Sequence, residues 1–193
     1  GFQHYLAVGE EASFWEEVLL GLKLVVPIIV VSYAAGLGAE FIFAMKKGHA
    51  LNEGFLVSGM LIPLIVPATI PLWQVAVATV FAVIIGKEVF GGTGMNILNV
   101  ALTARAFLYF AYPQQISGSV WTYIGDKAPV DGYSGATPLA VAYETSASDG
   151  GSVVEALSQT NTALSGDFYT FSNMFLGFIP GSIGETSTLM ALI

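Results

Sequence analysis

The segment Phe55–Gly86, FLVSGMLIPLIVPATIPLWQVAVATVFAVIIG, contains no charged residue. About 20 consecutive apolar residues cover the hydrocarbon core of a bilayer, which is about 30 Å thick. The segment is long enough for more than one crossing, and it is interrupted by Pro63, Pro67 and Pro71. We therefore predict two helices joined by a turn, and the first helix is short enough that a re-entrant segment is the alternative.

The composition of the whole chain also favours a membrane protein. Of its 193 residues, 54% are hydrophobic and 10% are charged, whereas soluble domains carry about 25% charged residues. The mean hydropathy is +0.71. The chain has no cysteine, which excludes a disulfide framework, a thiolate nucleophile and a cysteine-ligated iron–sulfur cluster. Its two histidines, His4 and His49, are far apart in the sequence and do not suggest a metal site.

We predict an all-α integral membrane protein, a multi-span helical bundle with broken or re-entrant helices. Basic residues favour the cytoplasmic flanks of spans, so Lys46, Lys47 and Lys87 would lie inside and the long polar loop outside. Because the chain starts with glycine and ends with an apolar run, we expect one transmembrane domain, residues 1–193, as a fragment of a larger protein. The predicted spans are 14–46, 55–66, 72–86, 96–112 and 168–180, with an external polar loop at 113–167.

Four polar residues near or within the predicted spans are candidates for function. Arg105 would bind a cofactor phosphate or a buried carboxylate, because a guanidinium inside a span costs about 2.5 kcal/mol or more; alternatively it snorkels or pairs with another subunit. Asn96 and Asn99 would share a helix face and hold the polar edge of a ring, or else serve in capping and helix–helix bonding respectively. Glu40 would receive a cation, or pair with a nearby lysine.

The polar loop contains the sequence DGYSGAT at residues 131–137. Pro138 disfavours helical geometry at Thr137, and the two glycines allow the backbone to approach a large partner closely. Asp131 would hold a divalent cation or orient a hydroxyl. From the residues alone, this segment is a turn, and the hydroxyl of Thr137 is a candidate for covalent modification.

This segment resembles the flavinylation sequence Asp-x-x-Ser/Thr-Gly-Ala-Thr, in which a flavin transferase esterifies the last threonine with FMN. The segments Asn52–Val77, Gly86–Pro113 and Phe175–Leu189 are similar to the NqrB subunits of the sodium-translocating NADH:quinone oxidoreductases. The RnfD subunits of the related Rnf complexes share the flavinylation sequence. The residues that fit that sequence are Asp131, Ser134, Gly135, Ala136 and Thr137.

The resemblance implies two flavins. FMN would be attached covalently to Thr137 through a phosphoester bond, with Arg105 as a candidate partner of its phosphate. Riboflavin would bind without a covalent bond near Asn96 and Asn99, which match family asparagines.

The resemblance also implies a quinone site and a cation site. Gly36 and Leu37 fall where the family has a glycine pair associated with quinone, and Glu40 matches a carboxylate linked to sodium uptake. The chain would then be the flavin-carrying subunit of a sodium-pumping NADH:ubiquinone reductase in the bacterial inner membrane, passing electrons from FMN through riboflavin towards quinone. Its expected partners are the other subunits of a six-subunit complex, quinone, Na⁺, the flavin transferase and membrane lipid, and no nucleic acid.

Two alternatives stay open. An RnfD-type subunit would exchange electrons between ferredoxin and NAD and would carry no quinone site. A passive solute channel built from broken helices belongs to another class, and such a channel would have no need for the DGYSGAT sequence.

Overall fold

The computed structural model describes residues 2–48, 53–92, 94–126, 135–148, 152–159, 169–184 and 186–193. These residues are helical or irregular, and none of them lies in a strand. The helices are α1 (Phe2–Val8), α2 (Phe14–Lys47), α3 (Gly54–Leu64), α4 (Leu72–Gly86), α5 (Val100–Ala111), α6 (Pro138–Ser148), α7 (Val153–Gln159), α8 (Phe171–Leu176) and α9 (Thr188–Leu192), with short 3-10 helices at Glu88–Phe90 and Pro113–Gln115.

Two of the described helices are long and apolar enough to cross a membrane, by length and composition: α2, and α4 together with the 3-10 turn to Phe90. Helices α3 and α5 are apolar but shorter. Only 11% of the residues in the most apolar stretch of α2 are buried, and the large exposed side chains of the helix include Leu22, Val26 and Val30. Soluble monomers rarely expose an apolar surface of this extent, so α2 has the surface of a helix surrounded by lipid or by other apolar helices.

The ends of α2 carry charges that match the helix dipole. Glu16 and Glu17 lie in its first turn, and Lys46 and Lys47 lie in its last. The partial positive charge at the start of a helix stabilises carboxylates, and the partial negative charge at its end stabilises ammonium groups. The Ser13 backbone N–H donates to the Glu16 carboxylate at 2.8 Å, which fixes the start of the helix. These local interactions explain why α2 begins and ends within two residues of its predicted bounds.

Contacts divide the chain into two compact units, 1–22, 67–69 and 117–193 in the first and 23–66 and 70–116 in the second. In the second unit, α4 packs along α5, and α3 packs against α5. Phe81 of α4 stacks on Phe107 of α5 with 4.6 Å between the ring centroids. Phe55, Val75 and Leu108 are buried in the core. In the first unit, α6 packs against α7 and α8 against α9.

Three predicted elements differ from the structure, and one is the fourth predicted span, 96–112, because α5 begins only at Val100. The fifth predicted span, 168–180, is described from Tyr169 onwards and contains only the six-residue α8, because Thr170 caps its start and Gly177 ends it in a left-handed conformation at φ 95°. Pro180 follows and cannot continue a helix. The region predicted as an external polar loop, 113–167, contains α6 and α7, since its alanines, valines and leucines are adequate helix formers despite the polar residues between them.

Candidate functional site

Thr137 is placed by the start of α6. Its hydroxyl oxygen accepts a hydrogen bond from the Ala140 backbone N–H at 3.3 Å, which is the role of a threonine at a helix N-cap. Pro138 takes the first helical position, where its missing N–H costs no hydrogen bond. Thr137 is half-buried, and an oxygen that accepts a hydrogen bond in a cap keeps its own O–H for reaction. Asp131 and Ser134 lie outside the described residues.

The two residues before Thr137 are held from both sides. A Cβ atom added at Gly135 would lie 2.5 Å from the backbone oxygen of Ser119, so this close approach requires glycine. Ala136 is 5% exposed, and its carbonyl accepts a hydrogen bond from the Tyr169 hydroxyl at 3.1 Å. Segments distant in the sequence therefore fix the backbone that presents Thr137.

Four charged side chains meet where α2 and α4 end; we call Glu40, Lys47, Lys87 and Glu88 the charged cluster. The Lys87 ammonium donates to the Glu40 carboxylate, and these side chains are 5% and 4% exposed. Lys47 donates to the Glu88 backbone carbonyl and lies 3.8 Å from Oε2 of Glu88. Glu40 thus pairs with a lysine, one of the two alternatives for this residue, while its role toward a cation stays a prediction.

Gly36 lies at a close contact between α2 and α3. A Cβ atom added there would lie 1.8 Å from Cζ of Phe55, whose side chain is almost completely buried. One turn earlier, the hydroxyl of Ser32 donates to the Gly59 carbonyl at 2.9 Å. A side chain at Gly36 would therefore displace the Phe55 ring. Leu37 points outward and is 37% exposed, and the quinone site at Gly36 and Leu37 stays a prediction.

Asn96 and Asn99 do not share a helix face, and this prediction is wrong. Asn99 has an extended backbone at the N-cap of α5, and its side chain accepts the Leu102 N–H. Asn96 precedes the helix, and its side-chain oxygen accepts the Gly94 N–H at 3.2 Å. Asparagine competes well for such local backbone donors, which is why the helix starts after both residues. Riboflavin binding by these asparagines stays a prediction.

Arg105 points from α5 to the end of α3. Its guanidinium donates to the Ile65 carbonyl at 3.1 Å, one residue beyond the last residue of α3. Carbonyls at the end of a helix lack partners within it, so this contact satisfies a polar group where α3 is interrupted. The role of Arg105 toward a cofactor phosphate stays a prediction.

Comparison with known proteins agrees with the sequence motifs. A family model described as "NQR2, RnfD, RnfE family" matches residues 4–193. The chain belongs to this family.

Curated members of the family match almost the whole chain. A protein of Chromohalobacter salexigens is 51% identical over 95% of this chain, one of Yersinia pestis 49% over 95%, and one of Neisseria meningitidis serogroup B 44% over 96%. Each is named as the B-type subunit of a Na(+)-translocating NADH-quinone reductase. The matches cover 40%, 41% and 42% of those proteins, so the chain spans about two fifths of their length.

The sequence did not indicate three of the residues that shape these candidate sites. Lys87 indicated only sidedness, and Glu88 and Tyr169 were not candidates. A signal existed for Lys87, because a carboxylate within an apolar span requires a counter-charge and the chain has only six lysines and arginines. No comparable signal indicates Tyr169, since its contact to Ala136 joins residues 33 positions apart.

Proposed function

We propose that this chain is the flavin-carrying, multi-pass membrane part of a sodium-pumping NADH:quinone reductase of the bacterial inner membrane. The observation that carries the proposal is the position of Thr137, whose hydroxyl lies at the N-cap of α6, directly after Gly135 and Ala136, which contact Ser119 and Tyr169. Relatives at 44–51% identity carry the name of that reductase. The proposed partners are the other subunits of a six-subunit complex, quinone, Na⁺, membrane lipid and a flavin transferase.

The described residues fit covalent FMN. Thr137 would hold the phosphate as an ester, and the partial positive charge at the N-terminus of α6 favours an anion beside it. When bound, the flavin ring supplies the electron-carrying chemistry, and the protein places the ring and adjusts its surroundings. The contacts of Gly135 and Ala136 would keep the attachment point in one position relative to the rest of its unit.

The second flavin, riboflavin, would bind beside the start of α5. The side-chain oxygens of Asn96 and Asn99 accept backbone N–H groups, so a riboflavin near them would be met by their amide nitrogens. Arg105 is proposed chiefly to stabilise the interrupted end of α3, and its contact with an FMN phosphate is the alternative.

An Rnf-type subunit is the second candidate, because the matching family model includes both classes. The names of the similar proteins favour the sodium-translocating quinone reductase. Membranes that contain the complete complex separate the two candidates. Sodium-stimulated quinone reduction supports the first, whereas ferredoxin–NAD electron exchange without quinone reduction supports the second.

The covalent flavin is tested by replacing Thr137 in the full-length protein, co-expressed with the flavin transferase. We expect the Thr137→Ala variant to lose all yellow fluorescence of the denatured protein in a gel, because no ester can form. Thr145→Ala is the matched control, since the Thr145 hydroxyl donates within α6 to the Val141 carbonyl, and it should keep full fluorescence. An adduct that persists in Thr137→Ala, or a peptide map that places it elsewhere, contradicts the proposal.

A further inference from the structure

The charged cluster is buried and electrically neutral. Glu40, Lys87 and Glu88 are each at most 4% exposed as whole residues, and only the Lys47 side chain reaches solvent, at 35% exposure. Two carboxylates balance two ammonium groups. A further cation entering this site would leave an uncompensated buried charge, which is strongly unfavourable. A cation therefore enters only if one of the ammonium groups leaves.

One carboxylate oxygen in the charged cluster can accept a further hydrogen bond. The Oε2 atom of Glu88 is buried and accepts no hydrogen bond among the described residues, and Lys47 approaches it only to 3.8 Å. Buried carboxylate oxygens without a hydrogen bond are rare in folded proteins. Glu88 follows Lys87 directly in the chain, and the flexible four-carbon stem of a lysine can turn towards a different partner.

We propose that Lys87 is a tethered competitor for the cation at Glu40, and that Na⁺ binds Glu40 only when the Lys87 ammonium moves towards Glu88. Lys47, the one partly exposed member of the charged cluster, then turns into water, so the buried charge stays balanced. The inference rests on the proposed function and extends it, because it makes Lys87 the residue that sets the affinity for sodium. No covalent bond is made or broken in this exchange.

The test is a sodium titration of quinone reduction by the purified, flavin-loaded complex, together with equilibrium binding of radioactive Na⁺. If the Lys87 ammonium occupies Glu40 in more than about nine tenths of the molecules, the apparent affinity of Glu40 for sodium is lowered at least tenfold. We therefore expect Lys87→Gln to lower the half-saturating sodium concentration about tenfold and to tighten sodium binding by the same factor. An unchanged or raised value in an assembled complex overturns the proposal.

Lys46→Gln is the matched control. Lys46 is exposed at the same end of α2, so its replacement changes the net charge equally without touching Glu40. We expect its half-saturating sodium concentration to stay within about twofold of that of the unmodified complex, because exposed charges are well screened by salt. Equal shifts in Lys46→Gln and Lys87→Gln would show a general charge effect and overturn the proposal.

A double variant keeps the test decisive if Lys87→Gln does not assemble. Glu40→Gln with Lys87→Gln replaces a buried ion pair by two amides, an exchange that proteins often tolerate. We expect this variant to assemble and to require a higher sodium concentration, because Glu40 offers no charge; a sodium dependence like that of the unmodified complex overturns the proposal. The unmodified complex tests the proposed function itself. If its rate of quinone reduction does not depend on sodium, the proposed function is contradicted, and this result is distinct from a failure of the role of Lys87.

Discussion

The position of Thr137, the proposed attachment point, depends on contacts made by its two preceding residues. Gly135 tolerates no side chain against Ser119, and the Ala136 carbonyl is held by Tyr169. Neither contact involves the reacting oxygen. They determine instead where the hydroxyl lies when a transferase reaches it, and positional precision of this kind controls the rates of group transfer.

We predict that Tyr169→Phe slows flavinylation without preventing it. The substitution removes the hydrogen bond to the Ala136 carbonyl and keeps the ring. A hydrogen bond of this kind contributes about 0.5–1.5 kcal/mol, so the initial rate of covalent flavin incorporation should fall by up to about tenfold. Gel fluorescence sampled during maturation measures this rate.

Tyr143→Phe provides the comparison for Tyr169→Phe. Tyr143 lies on α6 and is 75% exposed, so loss of its hydroxyl should leave the rate of flavinylation unchanged. Equal rates in the two variants would show that the Ala136 contact does not position Thr137.

Helix α2 meets α3 through small residues rather than through interlocking large ones. Gly36 lies under the Phe55 ring, and Gly59 lies under Tyr33, where an added Cβ atom would be 2.8 Å from the ring. Small residues allow helices in membranes to approach closely, because lipid tails provide no hydrophobic force for their association. The Ser32 hydroxyl adds a hydrogen bond to the Gly59 carbonyl at the same crossing.

We predict that Gly36→Ala destabilises this crossing by about 1–3 kcal/mol, the usual cost of overpacking a core. The buried Phe55 ring would have to move to admit a methyl group. Thermal unfolding of the complex in detergent measures the effect. Gly38→Ala is the matched control on the same helix, because an added Cβ atom there meets nothing within 4 Å, and it should be neutral or slightly stabilising.

The same pair of variants tests the quinone hypothesis for Gly36 and Leu37. If Gly36→Ala raises the KM for quinone while the melting temperature matches that of Gly38→Ala, Gly36 acts at the substrate site and the packing argument is wrong. If the melting temperature falls, the requirement for glycine is explained by the Phe55 ring.

The sides of the membrane on which the polar segments lie can be tested by labelling introduced cysteines, because the chain has no cysteine of its own. Tyr143→Cys on α6 and Lys46→Cys at the end of α2 place one thiol in each exposed region. In a full-length protein freed of other cysteines, a membrane-impermeant maleimide added to intact cells should label Tyr143→Cys and leave Lys46→Cys unlabelled, because basic flanks favour the cytoplasm.

Opened vesicles provide the control for this labelling. Both thiols should react there, which shows that each is accessible from its own side. Labelling of Lys46→Cys in intact cells would place α6 on the cytoplasmic side or change the number of crossings, and either result contradicts an external attachment site for flavin.

The described structure explains why the apolar elements were easier to predict than the polar ones. Helix α4 has the predicted bounds, 72–86, because apolar content and flanking Pro71 and Lys87 are local properties of the sequence. The fifth predicted span, in contrast, breaks at Gly177. An added Cβ atom at Gly177 would lie 2.8 Å from Ser187, so its left-handed turn brings together residues that no local pattern relates.

The order of residues alone established a helical, apolar chain, the DGYSGAT sequence and the family, because hydropathy and motifs are read from neighbouring positions. Only the tertiary structure decided that Glu40 pairs with Lys87, 47 residues away, that Tyr169 holds Ala136, and that Gly36 lies under Phe55. These contacts arise from the packing of helices, and packing depends on the shapes and charges of side chains far apart in the sequence.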